Sequence, residues 1–175
     1  MNFGTDVEPT ILINPLSIDE VVVAWMYYGS PSHIEFASSS DNGDNWYRGN
    51  IPYTDSLGSA DPSLAFTQDG KVHIIHLSDE ISIISSGDIF TNNPTWNGPY
   101  EVSSSGDKPW LSSDLTSGDC SGNLYSTFSA NLIKNKVSDD NSSTWSSIGI
   151  FDSVENVYPY WSTSIVNNCG TMFVF

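Results

Sequence analysis

Ser39-Ser40-Asp41-Asn42-Gly43-Asp44-Asn45-Trp46 reads S-x-D-x-G-x-x-W. An alternating run, Ile34-Glu35-Phe36-Ala37-Ser38, leads into it, and a polar-aromatic pair, Tyr47-Arg48, leaves it. The pattern predicts a tight turn between two strands. Short Ser and Asp side chains can bond the turn's own N–H groups in place of ladder partners. Gly43 can take a positive φ without steric cost, and Trp46 returns a large apolar plate to the sheet.

The pattern recurs. Ser138-Asp139-Asp140-Asn141-Ser142-Ser143-Thr144-Trp145 keeps Ser, Asp and Trp at the same offsets, with Ser142 where Gly43 stood. Ser86-Gly87-Asp88 is an eroded copy whose tryptophan, Trp96, comes later. Trp46, Trp96 and Trp145 lie 50 and 49 residues apart. The prolines that open each unit, Pro9, Pro62, Pro109 and Pro159, recur at 53, 47 and 50. Such periods mark a repeat architecture. The units run approximately 8–50, 61–102, 108–150 and 158–175 within one region covering 1–175.

Each unit reads as short strands rich in β-branched and aromatic residues. The first holds Glu8–Ile13, Val21–Trp25, 33–39 and a strand begun by Trp46. The second holds Asp61–Phe66, a Gln68-Asp69-Gly70 turn, Lys71–Leu77, Ile81–Ile84 and a strand after Trp96. The third holds Lys108–Leu111, Asn123–Phe128, Asn131–Ile133 and Ile148–Ile150. A fourth has only Tyr158–Trp161 and Thr171–Phe175. No stretch shows useful helical periodicity.

The turn motif resembles the Asp box of the sialidase-type β-propellers, also called the BNR repeat. The resemblance implies an all-β chain: a partial β-propeller of about three and a half four-stranded blades. A propeller escapes exposed sheet edges by closing into a ring, which this count cannot do alone. The expectation is a ring closed by oligomerisation or by sequence outside this chain. A different division of the strands would give a small closed sandwich.

The family also implies what to look for. Its boxes lie on the blade rim, so Ser39, Asp41, Gly43, Trp46, Ser138, Asp140 and Trp145 are expected to be structural. Its sialidases clamp a carboxylate with three arginines, but this chain has one, Arg48, and lacks the family's Arg-Ile-Pro signature. Lysine does not supply the same bidentate fork. A sialidase site within this chain is therefore not expected. Other Asp-box proteins are glycoside hydrolases that use paired carboxylates. In the family's geometry the first strand of each blade borders the central channel. Asp61 and Asp107, one and two residues before their prolines, are then catalytic candidates, with turn residues as the alternative. Glu8, Trp110, Tyr160 and Trp161 are candidates for binding a glycan, with aromatic packing between blades as the alternative. Tyr53 and Tyr100 fall in connections between blades. The leading expectation is a non-catalytic carbohydrate-binding or scaffold module, and the alternative is a hydrolase completed by a second copy or a longer chain.

Composition narrows the partners. The 175 residues carry 21 acidic against 5 basic side chains, a net charge of −16. Such a surface repels nucleic acid and anionic membranes. No apolar run is long enough to span a bilayer, so membrane insertion is not expected. No secretory leader is visible, although the acidic surface and the resemblance favour a secreted setting. No cofactor or structural metal is expected. Asp41–Asn45 offers oxygens for Ca²⁺ but not the spaced ligands of an EF-hand loop. His73 and His76, three apart on a strand, face opposite sides and cannot ligate one metal from one face. Cys120 and Cys169 hold equivalent positions in successive units, which does not by itself imply a disulfide. Asn141-Ser142-Ser143 fits a glycosylation sequon.

Overall fold

The structure is a computed structural model, and it describes residues 5–52, 58–151, 162–167 and 171–175. Tyr53, Tyr158, Tyr160, Trp161 and Cys169 lie outside the described residues. Every regular element among those described is a strand.

Sheet 1 is β1 (Thr5–Asn14), β2 (Ser17–Tyr28), β3 (His33–Ser39) and β4 (Tyr47–Asn50). Sheet 2 is β5 (Ala60–Phe66), β6 (Val72–Leu77), β7 (Ile81–Ser86) and β8 (Asn97–Ser103). Sheet 3 is β9 (Asp107–Ser113), β10 (Leu124–Ala130), β11 (Leu132–Ser138) and β12 (Ser146–Phe151). The last sheet has two strands, β13 (Ser164–Val166) and β14 (Met172–Val174). Strand order follows the chain in every sheet, with antiparallel neighbours throughout. The first strands stack on one another, β1 on β5, β5 on β9 and β9 on β13. This is the blade-by-blade arrangement of a propeller, left as an open arc.

Burial explains the composition of each blade. Blade 1 has one covered face, and β2 alternates: Val22, Ala24 and Met26 are buried while Val21, Val23 and Trp25 are only partly so. Blade 2 has neighbours on both sides, so β6 and β7 are buried almost throughout. A strand covered on both faces reads as a continuous apolar run, which accounts for Ile74-Ile75 and Ile83-Ile84. One core joins blades 1 and 2 through Val22, Ile34, Phe36, Leu64, Ile74 and Ile84. A second joins blades 2 and 3 through Ile75, Ile81, Ile83, Leu111, Leu124 and Phe128. His73 and His76 are both buried, one on each face of β6, because both faces are covered.

Hydrogen bonds stitch the blades where apolar packing ends. Ser38 Oγ donates to the Ile89 carbonyl at 2.7 Å, and Ser113 Oγ to the Phe66 carbonyl at 2.6 Å. The Leu111 N–H donates to Ser63 Oγ at 3.0 Å. Each replaces a water partner lost when the blades pack.

Candidate functional site

The innermost strands share a local distortion. Glu8, Asp61 and Lys108 immediately precede Pro9, Pro62 and Pro109, and all three have positive φ, at 55°, 52° and 50°. The ladder register shifts at each of these points. Bulges re-aim side chains. Here they turn three equivalent side chains toward one another from three successive blades. Lys108 Nζ bonds both Glu8 Oε1 and Asp61 Oδ1. The Asp61 N–H donates to Glu8 Oε2 at 3.2 Å.

The cluster is electrically lopsided, with two carboxylates around one ammonium. Burial, reinforced by the neighbouring Glu8, pushes Asp61 up to about 6, against the pull of Lys108. Burial also acts to raise Glu8, but hydrogen bonds from Asp61 and Lys108 outweigh it and hold Glu8 below the usual range. The ordinary rule that an ion pair lowers a carboxylate therefore holds for the outer acid and fails for the buried one.

The cluster opens into an axial cavity of about 1050 Å³. Its walls are the four innermost strands, including Ile11 and Ile13 of β1, Trp110 of β9 and Ile165 of β13. Trp110 is 42% exposed and is one of the residues that line the cavity. The cavity is apolar with a charged corner, the usual makeup of a small-molecule site.

The candidates separate on this geometry. Glu8, Asp61 and Trp110 all line the cavity. Asp107 does not join the charged cluster, and its exposed carboxylate accepts the Lys108 N–H at 2.9 Å. Counting back from each proline by one residue, rather than looking for acids nearby, selects Lys108. That signal was present in the sequence. Arg48 lies on β4, the strand furthest from β1, where it pairs with Glu35.

The Ser-x-Asp turns lie between the third and fourth strands, away from the cavity. In the first, Ser39 Oγ donates to Asp41 Oδ1 at 2.8 Å and accepts the Gly43 N–H at 2.9 Å. Asn45 donates its backbone N–H to Asp41 Oδ1 at 2.8 Å and its side-chain amide to Oδ2 at 2.7 Å. Trp46 Nε1 donates to the Gly43 carbonyl at 2.8 Å. The third turn repeats this with Ser138, Asp140, Ser142, Thr144 and Trp145. The middle turn keeps the clasp through a longer loop: Ser86 Oγ donates to Asp88 Oδ1 at 2.8 Å, and the Thr95 N–H donates to the same oxygen at 2.7 Å. Donors from Asn45 hold Asp41 below the usual carboxylate range, and those from Thr144 do the same for Asp140. Both oxygens of Asp41 are thus occupied within the turn. Among the described residues no three His, Cys, Asp or Glu side chains group as metal ligands.

No protein-family model matches the sequence, and no curated protein does. Solved structures do. A protein of unknown function from Dyadobacter fermentans superposes with a TM-score of 0.73 at 15% identity, over 98% of this chain and 62% of its own. The Hadza microbial sialidase Hz136 gives 0.68 at 16% identity, over 98% of this chain and 39% of its own. A GH43 protein, BlXynB from Bacillus licheniformis, gives 0.59 at 12% identity, over 97% of this chain and 36% of its own. The chain thus spans less than two thirds of each of these structures. Its fold is part of a β-propeller of the kind seen in sialidases and glycoside hydrolases.

Proposed function

We propose that this chain is a glycan-binding propeller module without catalysis of its own, taking a sugar at the charged corner of the axial cavity. The observation that carries this reading is that the exposed Trp110 lines the same cavity as Glu8, Asp61 and Lys108. An aromatic plate offers an apolar seat for a sugar ring, and charged groups offer its hydroxyls partners. The three Ser-x-Asp turns are read as Asp boxes that brace the rim.

The shared ammonium between the carboxylates supports binding over hydrolysis. Glycosidases hold their two acids about 5 to 9.5 Å apart, with sugar or water between them. Here Glu8 and Asp61 grip a single ammonium, and the Asp61 N–H donates to Glu8. A second reading, hydrolysis, is favoured by one observation: Asp61 is raised to about 6, the range of a general acid.

The test is titration of the protein with a panel of neutral, amino and acidic oligosaccharides, followed by tryptophan fluorescence and by reducing-sugar release. The expected result is saturable binding without release, weakened at least about tenfold by Trp110→Ala. No binding across the panel would sink the reading. Release abolished by Asp61→Asn in folded protein would replace it with the hydrolase.

A further inference from the structure

The corner of the axial cavity holds an uneven ion set. Glu8 and Asp61 bring two carboxylates, and Lys108 brings the one ammonium that bonds both. The sequence has five basic side chains, and the other four stand elsewhere. Arg48 pairs with Glu35, Lys71 with Asp69, and Lys136 Nζ donates to the Val102 carbonyl. Lys134 lies on β11, two strands outward from the innermost strand of its sheet. A proton balances the corner only in acid, because burial, and Glu8 after it, push Asp61 up to about 6.

Access to the three groups is uneven as well. The Asp61 side chain is 8% exposed, against 37% for Glu8 and 33% for Lys108. A ligand in the cavity therefore reaches Glu8 and Lys108 more readily than Asp61. The Lys108 ammonium shows what these acids accept: a primary amine, held by charge-assisted hydrogen bonds. Trp110 follows Lys108 by two residues, so their Cα atoms are at most about 7 Å apart. Both line the cavity. An indole face attracts a cation as well as an apolar ring. The net charge of −16 on the chain draws cations in and repels anions.

We propose that the ligand of this corner is an amino sugar, whose free ammonium is received by Glu8 while its ring lies on Trp110. The added charge brings the corner into balance, with two carboxylates against two ammoniums. Glu8 is then the residue that sets specificity. It favours a free amine over its N-acetylated form and disfavours a carboxylate. The proposal rests on the reading of this cavity as a glycan site and narrows it to one class of sugar. Acetylation removes the charge and keeps the ring, so comparing the two forms isolates the ammonium.

The experiment is tryptophan-fluorescence titration of the 175-residue chain at about pH 7, where an amine resembling an α-amino group still carries its proton. The probes are a glucosamine trimer, its N-acetylated counterpart and a galacturonate trimer. The glucosamine trimer is expected to bind at least about tenfold tighter than the N-acetylated one, the worth of a hydrogen bond to a charged group. The galacturonate trimer is expected to bind weakest. Raising salt from about 0.02 M to about 0.5 M should shrink the preference for the amine. Glu8→Gln should bring the ratio of the first two affinities to about one. If circular dichroism shows that variant unfolded, Asp61→Asn takes its place, since it removes the excess negative charge and should lower the same ratio. Equal affinity for the first two trimers, or tightest binding of the galacturonate trimer, would overturn this proposal and leave the glycan reading standing. Binding of none of the three would sink both. A preference for the amine that neither salt nor the folded variant changes would also overturn it, because charge would not be its source.

Discussion

Trp96 stands edge-on to Phe36, with ring centroids 5.3 Å apart and planes at 74°. Trp96 precedes the outermost strand of blade 2, and Phe36 is the buried centre of β3 in blade 1. The contact joins the outer parts of two blades whose inner strands are already stacked. Trp145 packs against the next core, between blades 2 and 3. Trp46, their counterpart in blade 1, meets no preceding blade among the described residues and is exposed.

This pair should behave as a coupled unit. Phe36→Ala is expected to cost about 3 to 5 kcal/mol, because a fully buried ring leaves a cavity. Trp96→Ala, at a partly buried site, is expected to cost less. The double variant should fall short of the sum by about 0.5 to 1.5 kcal/mol, the added value of an edge-to-face contact. Urea unfolding of the four proteins measures this. Strict additivity would mean that the rings do not support each other.

Ser142 stands where the first turn has a glycine. Its φ is 72°, against 90° at Gly43, so it occupies a left-handed conformation that is costly for an L side chain. It is fully buried, and its Oγ finds no hydrogen-bond partner among the described residues. The contact that matters, its N–H to Ser138 Oγ at 3.0 Å, uses only the backbone. Ser142→Gly should therefore stabilise the protein by about 1 kcal/mol, read as a higher urea midpoint at constant slope. Gly43→Ser should lose a similar amount. A destabilised Ser142→Gly variant would show that the buried hydroxyl has a partner after all.

Asp61 and His73 push the pH dependence of stability in opposite directions. Burial raises Asp61 from 3.8 to about 6, so the folded chain keeps a proton that the unfolded chain releases. Its contribution is complete below 3.8 and is lost as pH rises through about 6. Burial first, and Lys71 second, lower His73 from 6.5 to about 4. Its contribution is complete above 6.5 and is lost as pH falls through about 4. The expected wild-type profile is nearly flat where the two windows overlap. Asp61→Asn should leave stability rising with pH there, and His73→Gln should leave it falling. Each slope reaches at most about 1.4 kcal/mol per pH unit. Urea midpoints across the acid range check both signs, and parallel profiles for all three proteins would refute the assignment.

The strand content, the blade period and the turns were legible in the sequence because they are local. A Ser two residues before an Asp closes its clasp within one turn, whatever the rest of the chain does. Alternation in β2 and unbroken burial in β6 likewise follow from how many faces of each blade are covered. The middle turn looked eroded only because its loop is longer, and Asp88 recovers the same donors from Thr95.

The charged cluster was decided by tertiary structure. Glu8, Asp61 and Lys108 are separated by whole blades in sequence, and only the stacking of β1, β5 and β9 brings them together. A shift of one residue in a strand turns a side chain to the other face. That single step separates Lys108, inside the cluster, from Asp107, outside it. Residue type alone marked both aspartates as candidates. The bulge before each proline chose which position faces the axis, and burial then decided which carboxyl is pushed up.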